Sequence, residues 1–312
     1  MNAAGTRLAL GLRGALVLAI LDDAPSLSRI AGPDVSFVVA GIDRIEGSAR
    51  GDADATVLAT ALAAETPVPV LAAGSVQHDH PYNLARRVAS LDQLSEGRSG
   101  LLLARRDSGD DPSDAWAGAA LGVSAPADGA TAADAAAAIA ALWHSWPVSS
   151  IVGDRASGVY TQAHRIHRLA EPGIFGVAGP LNVPTTPQGV PVLAYSLADD
   201  EDAAPSHAEL VVSRTAPDGR SAGDGTVWWQ RLRVESVDDV DGLLLDGDAD
   251  GVFLVLDTDD VTVALTALDR ARSVWRVSAP RAERTLRDAL ALRTPAAPAA
   301  GPAAFRAPVP LH

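Results

Sequence analysis

The sequence predicts an α/β fold, a shortened (β/α)₈ TIM barrel, and three observations predict it. Short β-branched or Leu-rich runs alternate with Ala-rich amphipathic stretches, the rhythm of βαβ units around a parallel sheet. Eight such runs can be picked out, the number that closes a barrel with right-handed crossovers. A length of 312 residues is ordinary for one α/β barrel and short for two full domains.

The strands are expected at Ala15 to Leu21, Val35 to Ala40, Val68 to Ala73, Gly100 to Ala104, Pro191 to Ser196, Glu209 to Ser213, Val227 to Val234 and Gly251 to Leu256. Each of the first seven except the sixth precedes a segment that can be helical, most clearly Asp54 to Glu65, Pro81 to Leu94 and Thr131 to Trp146. Residues 149–188, rich in Gly, Pro and His, break the rhythm and read as an excursion partly covering one end of the barrel. Arg281 to Leu292 is expected as a last helix, which bounds one barrel domain at 1–292. The Ala/Pro stretch 293–312 then forms a mobile or surface-hugging tail.

Composition narrows the partners. A net charge of −14 disfavours nucleic acid and anionic membranes, which need clustered cations. All 25 basic residues are Arg, a bias without functional meaning. No apolar run reaches the ~20 residues of a membrane span, and the Leu8 to Leu21 run is interrupted by Arg13. With no Cys there are neither disulfides nor thiolate metal sites, which fits a cytoplasmic protein. An aromatic share of 4% leaves the core to Ala, Val and Leu.

Several segments resemble a known family. His80 to Arg98, HPYNLARRVASLDQLSEGR, is similar to the stretch after the third strand of the luciferase-like flavin monooxygenases, in the branch of nitrilotriacetate and dibenzothiophene-sulfone monooxygenases. Trp143 to Gly158 and Phe175 to Leu193, FGVAGPLNVPTTPQGVPVL, resemble that branch's lid region, and Asp248 to Leu254 and Glu283 to Leu292 its eighth strand and terminal helix. The resemblance implies an FMN(H2)-dependent monooxygenase that receives reduced flavin from a separate flavin reductase, oxidises a small organic substrate and forms a homodimer.

The same resemblance places the flavin at the C-terminal mouth of the barrel. Ser75, His80 and Tyr82, after the third strand, would face it, with His80 the candidate catalytic residue. The local reading of His80-Pro81 is a helix cap, and the two stand side by side. His78 and His80 form an H-x-H pair without a third ligand at suitable spacing, so no metal is expected. Arg106 and Ser196 complete the candidate cofactor-binding set.

Other positions depart from the family's pattern. Leu102 stands where the family has a flavin-touching Asn, leaving ring polar atoms unpaired at ~1 to 3 kcal/mol each. Arg106 replaces a flavin-touching Ser, and a phosphate contact or an exposed ion pair are its two readings. After the fifth strand, Ser196-Leu197-Ala198-Asp199-Asp200-Glu201-Asp202 stands where the family binds the FMN phosphate, with Asp199 at the Ser position. A carboxylate ~4 Å from a phosphate charge costs about 4 kcal/mol, roughly a thousandfold in affinity. An alternative function follows: a degenerate paralogue that keeps the barrel but not the flavin, serving as a binding or structural subunit.

Overall fold

The computed structural model describes residues 5–47, 53–77, 79–109, 126–171, 173–201, 203–217, 226–280 and 283–305. Eight parallel strands close a barrel: β1 (Leu8–Leu12), β2 (Val35–Ala40), β3 (Val70–Ser75), β4 (Ser99–Ala104), β5 (Val192–Ser196), β6 (Leu210–Ser213), β7 (Val227–Val234) and β8 (Gly251–Leu256). Neighbours follow chain order and β1 pairs with β8 from Leu8↔Val252 to Leu12↔Leu256. Most strand residues are buried, as expected where helices cover one face and the barrel interior the other.

The first strand corrects the sequence reading. Ala15 to Leu21, expected as β1, belongs to helix α1 (Gly14–Leu21), and the strand lies just before it. A buried parallel strand and a buried helix both appear as unbroken apolar runs, so the Leu8 to Leu21 run holds one of each, divided at Arg13.

Helix α2 (Ala24–Ile30) follows, then α3 (Ala55–Glu65), α4 (Pro81–Leu94), α5 (Gly129–His144) and α6 (Val261–Trp275). Asp54, Asp128 and Asp260 cap α3, α5 and α6 through their carboxylates. Gly41 turns the chain out of β2 at φ 69°, a left-handed conformation, and a Cβ there would lie 2.7 Å from the Ala55 Cβ. That turn delivers Arg44 and Glu46 to the mouth.

Two further expectations need correction. No helix follows β5 or β7 among the described residues, apart from the single 3₁₀ turn Asp238–Gly242. After β5, Glu201 accepts from the Ala198 amide at 2.9 Å and from the Tyr195 hydroxyl at 2.7 Å, closing a turn where a helix would start. Among the described residues the terminal helix is only α7 (Leu286–Ala289), since Ala291 takes φ 57°; Arg281 and Ala282 of the expected helix lie outside them. Leu286, Leu290 and Leu292 join the barrel interior, and Gln188 links Asp92 at the base of the barrel to the Arg287 amide.

The interior centres on Phe37, Trp229 and Phe253, with ring centroids 4.9 and 6.3 Å from Phe37. The few aromatic residues therefore sit where the largest volume must be filled. Trp228 points the other way by period two and donates its indole N–H to Ser213 Oγ at 2.9 Å.

None of the described residues of the excursion lines the mouth; its Gln188 lies at the other end of the barrel, against Asp92 and the Ser99 carbonyl. The excursion holds a hairpin (Ile151–Asp154 with Val159–Thr161) and an edge strand (His167–Leu169), and its Phe175, Val177 and Leu181 share a buried cluster with Leu84, Val88 and Ile139 of α4 and α5. The edge strand pairs antiparallel with Ala300–Ala303 of the tail. No helix of the described residues is long and apolar enough to cross a membrane.

Candidate functional site at the barrel mouth

All eight parallel strands end on one face, so the loops after them define a common mouth. A cleft of about 700 Å³ opens there, lined by residues after β2, β4, β5 and β6 and by the end of β7. Arg231 and Arg233 follow Trp229 at intervals of two on β7 and share its inward face, so the tryptophan fills the barrel while the two guanidiniums reach the mouth.

The cleft is crossed by ion pairs. Arg231 Nη1 lies 2.9 Å from Glu46 Oε1 and donates to Ser196 Oγ at 3.0 Å, while the Ser196 hydroxyl donates to the same Glu46 oxygen at 3.0 Å. Arg233 Nη2 reaches Glu46 Oε2 at 3.5 Å, and its Nη1 reaches Asp257 at 2.9 Å. Arg13, the residue that interrupts the first apolar run, binds Asp257 at 2.9 Å and Asp259 at 2.7 Å. Only 8% of the Glu46 side chain is exposed, and both of its oxygens are paired.

A second network borders the mouth near β2, β3 and β4. Arg44 pairs with Asp107 at 2.8 Å and Asp79 at 3.0 Å, and Arg87 pairs with Asp79 at 2.8 Å and Asp54 at 2.7 Å. Burial works against the Arg44 charge, but the hydrogen bond and charge of Asp107, with the charges of Asp79 and Asp54, raise its pKa overall. Arg105 holds Asp200 with one nitrogen at 2.7 and 2.9 Å from the two carboxylate oxygens.

The sequence-predicted residues are only partly brought together. Arg106 and Ser196 line the cleft, as does Asp199. His80, Tyr82 and Ser75 do not. His80 caps α4, its Nδ1 accepting from the Tyr82 amide at 3.2 Å, with Nε2 3.4 Å from the Phe175 carbonyl. The Tyr82 hydroxyl donates to the Pro180 carbonyl at 3.3 Å, and Ser75 is fully buried and receives the Gln77 amide at 3.2 Å. Leu102, 1% exposed, packs into the barrel interior. The described residues contain no group of three His, Asp or Glu able to hold a metal; His78 and Asp110 to Asp114 lie outside them.

The sequence alone does not single out Glu46, Arg231, Arg233, Asp107 or Asp257, and marks Arg13 only as a break in an apolar run. One signal was present: Arg231 and Arg233 alternate with apolar residues on a strand whose inward face begins with Trp229. Their carboxylate partners lie 24 to 185 residues away and carry no local signature.

The arrangement does not fit a bound FMN. A ring across the mouth would have to displace the Arg231–Glu46–Ser196 bridge, and Leu102 offers it no polar partner. A phosphate at the β5 loop would have to take an arginine from Glu46, Asp199 or Asp200, each already paired at 2.7–3.5 Å. The β4 corner differs: Ser108 Oγ and Arg105 Nε are buried without a hydrogen-bond partner, and Arg106 is exposed with no ion pair among the described residues.

The profile of the luciferase-like monooxygenases matches residues 39–231, well over half of the chain and most of the barrel. The chain belongs to the luciferase-like monooxygenase family. Family relatives include one of the subunits of pristinamycin IIA synthase from Streptomyces pristinaespiralis, 33% identical over 181 residues, which are 57% of this chain and 57% of that protein. Dibenzothiophene-sulfone monooxygenase of Rhodococcus erythropolis is 33% identical over 140 residues, 45% of this chain and 30% of that one. The nitrilotriacetate monooxygenase component from Aminobacter aminovorans is 29% identical over 182 residues, 53% and 37% of the two. The matched region thus spans little more than half of the first relative and about a third of the others. Among solved structures, a riboflavin lyase with modified FMN and riboflavin superposes with TM-score 0.63 at 17% identity over 93% of this chain and 96% of that one. EDTA monooxygenase from Chelativorans sp. BNC1 gives 0.62 at 16% identity over 93% and 98%. These structural likenesses establish the barrel.

Proposed function

We propose that this chain is an auxiliary subunit of a flavin-dependent monooxygenase system, a family barrel that does not itself hold FMN. The observation that carries this reading is the Arg231 bridge from Glu46 to Ser196, which spends the polar groups of the mouth on one another. The likeness to one of the pristinamycin IIA synthase subunits supports it: the same share of both chains is aligned, whereas the monooxygenases match over a smaller share of themselves.

Within such a system the chain forms a homodimer in the cytoplasm. Val57 on α3 and Leu94 on α4, 65% and 72% exposed beside a groove of about 350 Å³, support an association face there. Light scattering is expected to give twice the chain mass, and Val57→Glu with Leu94→Glu to give one.

The deciding experiment is an anaerobic titration with FMN and reduced FMN, followed by flavin absorbance and fluorescence. No saturable binding up to millimolar flavin is expected. Micromolar binding would overturn the proposal in favour of a second reading, an FMN(H2)-dependent monooxygenase served by a flavin reductase and acting on a small organic substrate. The open donors at the β4 corner favour that second reading, because Arg106 and Ser108 can receive an anionic group there.

A further inference from the structure

The tail beyond α7 turns a residue toward the protein at every third position. Pro295, Pro298, Gly301 and Ala304 are partly buried, and the residues between them from Ala296 to Ala303 are exposed. A repeat of three is the period of the polyproline II helix, and Pro295-x-x-Pro298 fixes φ at the value that conformation needs. Pro295 and Pro298 lie over a groove formed by Trp143 and His144 of α5, Leu193 of β5 and His207. Trp143 is held there by its indole N–H, which donates to the Ala85 carbonyl at 2.9 Å. This is the strip of barrel surface left bare because no helix follows β5.

Beyond the groove the tail changes its mode of attachment. Ala300 and Ala303 pair antiparallel with Leu169 and His167, and the Ala304 amide donates to the Ile166 carbonyl at 2.8 Å. Gly301 is required there, since a Cβ would lie 2.5 Å from the Arg168 carbonyl oxygen and 2.6 Å from that of Leu169. An aromatic-lined groove continued by an open strand edge is the usual equipment for receiving an extended proline-containing segment.

We propose that the surface formed by α5, β5 and the 167–169 edge is a peptide-binding site for extended segments with the spacing Pro-x-x-Pro-x-x-Gly, covered in cis by residues 294–305. The tail covers this groove without filling it, because about 140 Å³ stays open between the two. Little contact is therefore given up on release, and a proline-bearing segment of the same spacing on a partner protein can take its place.

The test uses the full chain carrying Gly301→Val, which blocks the strand pairing and touches no barrel strand. The probe is a fluorescently labelled synthetic peptide of residues 294–305, with circular dichroism and urea unfolding confirming the fold. Saturable binding to G301V at least tenfold tighter than to the unsubstituted chain is expected, because the variant's tail has lost its strand anchor and competes less well for the groove. A peptide with glycine at both proline positions is expected to bind about 5- to 30-fold more weakly, having lost its preset backbone. A folded G301V that binds no peptide, or equal binding by both chains, overturns the proposal. Failure of G301V to fold overturns it as well, because the tail would then be an integral part of the barrel.

Discussion

Asp92 shows how a single buried carboxyl sets a pH dependence. It is fully buried at the base of the barrel; burial, only partly offset by hydrogen bonding with Thr186, Ser99 and Gln188, pushes its pKa up to about 6. Its Oδ1 receives the Ser99 amide at 3.0 Å and Gln188 Nε2 at 2.7 Å, which leaves Oδ2 as the place for the proton. In the unfolded chain an Asp titrates near ~3.9. Between about pH 4 and 6 the folded state therefore binds more protons, so this group's contribution falls as pH rises through that window and stays low above it. Asp92→Asn keeps the oxygen acceptor and removes the charge. Urea midpoints across pH 4 to 8 are expected to lose this sloping component, with the variant gaining on the order of 2 kcal/mol near neutral pH. A variant less stable at pH 7.5 would count against the reading.

Glu46 is the complementary case, a largely buried side chain with both oxygens paired to arginines. Glu46→Ala leaves Arg231 and Arg233 side by side on β7 without the carboxylate they share and is expected to cost about 2 to 4 kcal/mol in urea unfolding. A double-mutant cycle with Arg231→Ala should show coupling of about 1 to 3 kcal/mol, and an additive cycle would mean that the bridge is not formed in solution. Glu46 does not stand out in the sequence, since a single Glu is usually solvated, and only tertiary folding brings it to the Arg231 that the strand pattern marks.

At the scale of elements, seven of the eight barrel strands coincide with the apolar runs that predict them, to within two residues at either end. The exception, β1, failed for the physical reason that burial on both faces erases periodicity. The same ambiguity hid α1, whereas α4 was legible from Pro81 at its first turn and its amphipathic repeat. The missing helices after β5 and β7 were not legible, because acidic and small residues suit a turn or an exposed helix equally well. Two element-level tests follow. Gly100 on β4 has the Val192 carbonyl of β5 2.5 Å from where a Cβ would be, so Gly100→Ala should force the strands apart and cost about 1 to 3 kcal/mol. Asp54 caps α3 and pairs with Arg87; although burial opposes it, the Thr56 hydrogen bonds and the Arg87 charge hold its carboxyl below the usual range. Its stabilisation is present above pH ~4 and fades as pH falls below, and Asp54→Ala should cost about 1 to 2 kcal/mol at neutral pH only.

At the scale of the whole molecule, the mouth has a consequence for encounter kinetics. The cleft lining carries five arginines and five carboxylates, so its charges cancel for any molecule farther away than the ~8 Å over which physiological salt screens. What an approaching ion meets at long range is the rest of the chain, with its net charge of −14. Clefts that recruit an anion present an attractive field, and salt slows their association. Here an anion diffuses against a repulsive field, so added salt should quicken its arrival at the β4 corner. The barrel mouth thus presents a diffusive barrier to the very class of ligand that its fold would be expected to gather.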